Sequence, residues 1–217
     1  PMGAFLWYVP VMIASDVTKG LLQGGGELPS YMKGMTLGDW MSRVRKAKLD
    51  LSSIDTPELA LRNLLVLEPQ PQATALLRLS STGGALIVAW RGELCSFRRF
   101  NDLNVAHFSS VDLMGRQALL ERLALELQRT ADAFERQFYG TSIERVWVEQ
   151  SVPDIDLVQQ LAPHVSIRLQ PYELADTLEL GHRATVAMNR HKAPKASLIA
   201  VGAALRQVIV ARDRSAA

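Results

Sequence analysis

Apolar positions return along this chain in two rhythms, and each change of rhythm marks an element. Leu37, Trp40, Met41 and Val44 recur at intervals of three and four, which predicts a helix over 36–47. Thr56-Pro57-Glu58 offers a hydroxyl cap, a proline at the first helical position and an acid in the positive first turn. A helix is therefore expected from Pro57 to Leu67, stopped by Pro69 and Pro71. The rhythm then shortens. Ala73–Leu79, Ala85–Trp90 and Leu94–Phe100 are strand-length runs separated by Gly83-Gly84 and Arg91-Gly92 at hairpin spacing, the signature of a β-meander. A loop over 101–111 follows. Leu120, Leu123, Leu127, Ala131, Phe134 and Phe138 then define one face of a long helix, Leu113 to Tyr139. Glu121, Arg122, Arg129 and Glu135 lie on its wet side, and Gly140 ends it.

Beyond it, Ile143–Glu149 and Val165–Leu169 read as strands around a short helix, Ile155–Leu161, which Asp154 and Asp156 are placed to cap. Leu174–Leu180 has helical character. The stretch Ser197–Val210 is small and apolar throughout and predicts a buried helix or, less well, a strand. At the other end, Phe5–Ala14 reads as a buried strand leading to a short helix that ends by residue 22. Gly24-Gly25-Gly26, Pro29 and Gly34 form a loop, and Leu49–Ile54 is a short strand. From residue 73 the order is three antiparallel strands, helix, strand, helix, strand, helix. That order implies an α/β mixed sheet with flanking helices, as in the ribonuclease-H-like half of actin, hexokinase and Hsp70 folds.

Composition narrows the functional classes. With 217 residues, 48% hydrophobic and 21% charged, the chain is long and apolar enough to bury a core. Its 24 basic and 22 acidic residues nearly cancel, so the net charge gives no pull towards nucleic acid. The lone Cys95 excludes an internal disulfide and fits a reducing compartment, as a small residue packed in a strand. Phe5–Ala14 is shorter than the roughly 20 residues a bilayer span needs and lacks a charged leader. His107, His164, His182 and His191 are scattered without ligand spacing, and no serine sits in a G-x-S-x-G elbow. Gly24-Gly25-Gly26 lacks the Lys-Ser/Thr of a P-loop. Arg183, Arg190, His191, Lys192 and Lys195 form a basic stretch that reads as a solvated loop, with contact to acidic lipids as the alternative.

Val44–Leu49 with Ser53–Leu64, then Leu76–Phe100, Leu119–Phe138, Ile143–Val148 and Ala200–Arg206 stand in consistent order over about residues 40–210, and together these strings resemble the MshI/PilM family of type IV pilus assembly proteins. Val44–Leu49 with Ser53–Leu64 resembles the segment entering that family's second large lobe. Leu76–Phe100 is similar to its phosphate-loop hairpin and third strand, and Leu119–Phe138 to its long helix. Ile143–Val148 resembles the strand before its adenosine loop, and Ala200–Arg206 its final helix. The resemblance implies an actin-like fold with residues 51–217 as the ribonuclease-H-like C-terminal lobe and 1–50 as a partial N-terminal lobe. The start Pro1-Met2-Gly3 fits a chain that begins inside that lobe.

Nucleotide-binding relatives place an acid, a hydrophobic residue and glycine at the first strand turn, where the acid holds metal and water and glycine admits the phosphates. The matching positions here are Arg78, Leu79 and Ser80, with Ser81, Thr82, Gly83 and Gly84 after them. The charge at the metal position is reversed. A plain hairpin turn accounts for the glycines, although the Ser80–Gly84 donors suit an anion. The adenosine loop should hold a glycine pair, but the sequence reads Glu149-Gln150-Ser151-Val152-Pro153. The expectation is therefore a non-catalytic scaffold with no cofactor and no metal. It would lie in the cytoplasm at the inner face of the inner membrane, reaching the membrane only through a PilN-like assembly partner. The alternative is a working actin-like ATPase of pilus or type II secretion assembly. Exposed apolar residues Phe5–Val11 are expected to drive self-association.

Overall fold

In a computed structural model, the described residues are 37–48, 56–67, 71–80, 83–149, 152, 155–174, 178 and 198–215. The elements expected within 5–34, at 49–54 and over most of 174–180 lie outside them. The chain divides into two compact units, one made of 1–64 with 180–217 and the other of 65–179.

The second unit is built on five strands: β1 (Ala73–Leu79), β2 (Gly84–Trp90), β3 (Glu93–Phe100), β4 (Ile143–Glu149) and β5 (Arg168–Tyr172). Their order across the sheet is β3-β2-β1-β4-β5. β1 pairs antiparallel with β2 and β2 with β3, whereas β4 lies parallel to β1 and β5 parallel to β4. This is the ribonuclease-H-like mixed sheet the element order implied.

The meander forms where the turn residues put it. Trp90 pairs with Glu93, leaving Arg91 at φ 51° and Gly92 at φ 81° as a two-residue loop. Two successive left-handed residues make the turn whose twist matches that of the flanking strands. Opposite Val88 and Ala89 of β2 the register of β3 slips by one, so Cys95 is the extra residue of a bulge.

A long helix, Leu113–Gln137, covers one face of this sheet. Asp112 caps it by accepting from the Gly115 N–H at 2.8 Å, and the turn after it holds Gly140 at φ 81°, as expected of a terminator. Its stripe Leu120, Leu123, Leu127, Ala131 and Phe134 joins Ala73, Ala75, Leu77, Leu86, Val88, Val146 and Val148 in the core. The alternate residues of β1, β2 and β4 thus meet the helical stripe, and truncation of the fully buried Leu123 to alanine would cost about 3 kcal/mol. Asp156 caps the short helix Leu157–Leu161, accepting from Gln159 N–H at 3.0 Å, as the sequence suggested. Asp154 lies outside the described residues.

Two features of this unit differ from expectation. The loop over 101–111 contains a helix, Val105–Ser110. Asn104 caps it, accepting from the His107 N–H at 2.8 Å, and it carries the fully buried Phe108 into the core. The last strand starts at Arg168, not Val165. Ala162–His164 forms a 3₁₀ turn, and pairing begins only where Arg168 meets Arg145. Pro171 sits inside this strand, which is tolerable because β5 is at the sheet edge.

In the first unit, Leu37–Lys46 is helical with Val44 buried, as its periodicity predicts. The helix Pro57–Leu65 starts at Thr56, whose hydroxyl oxygen accepts from the Leu59 N–H at 3.4 Å. The tail forms a helix, Leu198–Ser215. Ala60 and Ala203 pack together, and the buried Asn63 donates from Nδ2 to the Gly202 carbonyl at 2.9 Å. The approach is close enough that a Cβ on Gly202 would fall 1.9 Å from the Ala60 oxygen. Glycine is needed there for space. In chain order these six helices are α1 (Leu37–Lys46), α2 (Pro57–Leu65), α3 (Val105–Ser110), α4 (Leu113–Gln137), α5 (Leu157–Leu161) and α6 (Leu198–Ser215).

Candidate functional site

Parallel strands gather loops at their carboxyl ends, which is where open α/β sheets receive ligands. In this sheet β1 and β4 end side by side, with Leu77 paired to Val148. The next residue on each strand is Arg78 and Glu149. Their side chains meet, with Arg78 Nε 3.0 Å from Glu149 Oε2 and the side chains 23% and 13% exposed. Parallel register puts both on the sheet face away from α4, since Leu77 and Val148 belong to the core that α4 covers. A largely buried ion pair of this kind is held by geometry more than by net energy, but breaking one partner leaves an uncompensated charge.

The turn after β1 is closed by its own hydrogen bonds. Ser80 N–H and Ser80 Oγ both donate to the Gly83 carbonyl at 2.7 Å, and the Val105 N–H donates to the Ser80 carbonyl at 2.9 Å. The first turn of α3 is thus tied to the β1–β2 connection. Gly83 and Gly84 are required by contact with neighbouring backbone. A Cβ on Gly83 would lie 2.7 Å from the Phe100 carbonyl oxygen, and one on Gly84 2.8 Å from that of Leu103. Neither glycine has a left-handed φ. At both residues the space a Cβ would take is filled by the protein's own chain.

Of the residues singled out in the sequence, Arg78, Ser80, Gly83 and Gly84 are brought together here, while Ser81 and Thr82 lie outside the described residues. Glu149, noted in the sequence only as opening a loop without glycine, is the member whose role was missed. No group of three or more His, Cys, Asp or Glu side chains among the described residues is arranged to hold a metal ion. His107 donates from Nδ1 to the Asp102 carbonyl, and His164 lies 3.4 Å from Gln117; His182, His191 and the basic stretch around them are outside the described residues. Cys95, half-buried on β3, has its thiol pKa raised above the usual 9.0, chiefly by burial and secondarily by the charge of Glu93. No helix among the described residues is long and apolar enough to cross a membrane.

With the fold and this geometry in place, comparison with known proteins gives the same architecture. The chain is similar to one in a solved PilM-PilN type IV pilus biogenesis complex, with 18% identity, a TM-score of 0.58 and 79% of this chain covered. The likeness is one of fold. The actin-like, ribonuclease-H-like class expected from the element order is the class observed. The chain spans 57% of that relative's length. Weaker likeness is found to the ethanolamine utilization protein EutJ from Carboxydothermus hydrogenoformans, at 10% identity and a TM-score of 0.42, covering 59% of this chain and 53% of that one. The apo pSK41 ParM protein follows at 12% identity and a TM-score of 0.39, covering 85% and 62%. No protein-family model matches the sequence, and no curated protein does.

Proposed function

We propose that this chain is a non-catalytic scaffold of type IV pilus assembly, of the MshI/PilM kind, which docks to a PilN-like membrane protein at the inner face of the inner membrane. The observation that carries the non-catalytic reading is the Arg78–Glu149 pair. It occupies the strand ends where actin-like ATPases gather metal and phosphates, and it puts a guanidinium in the place of the metal-holding carboxylate. The guanidinium already engages the Glu149 carboxylate, so a divalent cation brought there would have to displace it and leave the Arg78 charge uncompensated. Gly83 and Gly84, packed on Phe100 and Leu103, support the same reading. The pilus assignment is supported by the ordered resemblance of local strings and by the similarity of fold to the chain in the PilM-PilN complex. In this reading residues 51–217 are the C-terminal lobe, 1–50 belong to the N-terminal lobe, and Phe5–Val11 contribute to self-association.

Two measurements test it. Calorimetric titration with Mg-ATP should give no heat of binding at micromolar nucleotide, and phosphate release should not exceed the buffer rate. Micromolar affinity or turnover abolished by Arg78→Ala returns the chain to the ATPase class. A synthetic peptide of the cytoplasmic N-terminus of a PilN-like protein should be retained by the immobilised chain. Absence of retention with the intact native protein removes the pilus assignment while leaving the non-catalytic reading untouched.

A further inference from the structure

Near their amino ends the parallel strands β4 and β5 carry two arginines side by side. Arg145 pairs in register with Arg168, and neighbouring strands lie about 4.8 Å apart. Both project from the sheet face away from α4, because they alternate with Val146, Val148 and Leu169, which pack in the core that α4 covers. A bulge puts Arg145 there. Ala73 pairs with Ile143 and Thr74 with Arg145, so Glu144 is skipped. Ile143 lies in the core, and strict alternation from it would turn Arg145 into the core as well. The extra residue re-aims the side chain to the face that Arg168 occupies.

Like charges opposite one another on neighbouring strands are destabilising, and nothing among the described residues offsets these two. Neither guanidinium has a hydrogen bond or an ion pair there, and the Nε of Arg145 is buried without an acceptor. The skipped Glu144 is exposed and pairs with neither. Glu149, further along the same face, is held by Arg78 at 3.0 Å, and its place on β4 is about 13 Å from that of Arg145. The guanidinium carbon of Arg145 lies over the Trp147 ring, 5.2 Å from its centre, a contact that uses none of its N–H donors. Trp147 is set in turn by an edge-on contact with Tyr172, with ring centres 6.0 Å apart. Arg168 is exposed beside them.

From this we infer that Arg145 and Arg168 form a binding site for a phosphate group carried by a ligand. A carboxylate has one charge and two oxygens, which a single guanidinium fork satisfies. A phosphate monoester carries about −1.5 to −2 charges at neutral pH and three acceptor oxygens, enough to engage two forks and neutralise both. The site lies at the opposite end of β4 from the Arg78–Glu149 pair. The inference depends neither on the non-catalytic reading nor on the pilus assignment.

The test titrates the intact, isotope-labelled chain with inorganic phosphate at constant ionic strength and reads arginine Nε–H and backbone amide signals by NMR. The Nε–H signals of Arg145 and Arg168 should shift saturably, and acetate should bind at least tenfold more weakly. Arg168→Gln should weaken phosphate binding at least tenfold. Arg145→Gln, a second variant, should do the same, and the amide spectra of both should overlay the parent's away from the two strand starts. Two further arms separate the sources of the phosphate: glycerol phosphate in solution, and vesicles of phosphatidylcholine with phosphatidic acid. Vesicle capture that is lost in Arg168→Gln assigns the group to a lipid headgroup, and binding of glycerol phosphate without capture assigns it to a soluble ligand. Shifts that track ionic strength alone overturn the proposal, as does acetate binding as tight as phosphate. Phosphate binding unchanged in both variants overturns it too.

Discussion

The two turns of the meander are written in similar residues and held by opposite physics. Between β2 and β3, Gly92 sits at φ 81° with nothing within 4 Å of where a Cβ would stand. It is there for its backbone freedom. Between β1 and β2, Gly83 and Gly84 have ordinary backbone angles and no room: Phe100, Leu103 and Leu79 surround them. They are there for their size. A glycine pair in a sequence is thus ambiguous between a conformational and a steric requirement. The distinction decides the reading of this chain, because a phosphate-binding loop needs glycine for a third reason, the approach of a ligand. At the β1–β2 turn the approaching group is the protein's own backbone.

Substitution separates these cases. Gly84→Ala should have the largest effect, a loss of about 2–3 kcal/mol in urea unfolding, since a Cβ meets the Leu103 carbonyl and the Leu79 side chain at 2.8 Å and only backbone movement relieves it. Gly92→Ala should cost less, about 1–2 kcal/mol, the penalty for a left-handed residue with a side chain, and Gly92→Asn should recover part of it. A Gly84→Ala chain as stable as the parent would mean the β1–β2 turn is looser than its contacts imply. Smaller still is Arg91→Ala. The guanidinium carbon of Arg91 lies 4.2 Å from the Trp90 ring centre at an exposed site, and its removal should cost about 0.5 kcal/mol by the same unfolding measurement.

The smallest effect concerns Cys95, beside the open turn. Its thiol pKa is raised, first by burial, with the Glu93 charge adding and a hydrogen bond to the Trp90 carbonyl subtracting. The folded chain therefore favours the neutral thiol. The associated stability is fully present below the unfolded value and is lost as pH rises through the folded one, above 9. Alkylation by iodoacetamide at pH 8 should be slower in the native chain than in urea, with the gap narrowing as the pH passes that range. An equal rate in both would place the thiol in water.

Local pattern carried much of this fold. β1, β2, β3 and β4 lie within a residue of the runs that predict them, and α4 ends two residues short of the expected Tyr139. α3 was illegible as periodicity because six residues offer too few apolar repeats, and the signal was the Asn104 cap ahead of the single buried Phe108. β5 was misplaced because Val165 and Ile167 alternate like a strand, whereas pairing with β4 sets where it begins. At the candidate site, Arg78 could be singled out through the resemblance, as the residue at the family's acid position, but its partner could not. Glu149 lies about 70 residues away, and no local pattern encodes the register of a parallel pair.

The strand at the centre of the sheet is the first of the five to be made. β1 finds β2 after a short turn, yet its other side waits for β4, which begins at Ile143. During synthesis, an apolar seven-residue segment, Ala73-Thr74-Ala75-Leu76-Leu77-Arg78-Leu79, therefore emerges long before its parallel neighbour. Such non-local pairing slows folding and leaves an interim edge open to other chains. A nascent chain halted with β1 to β3 outside the ribosome and β4 still within it should depend on chaperone cover more than one halted after β4 has emerged. The order of the strands thus sets a timetable for vulnerability on the ribosome as well as an architecture.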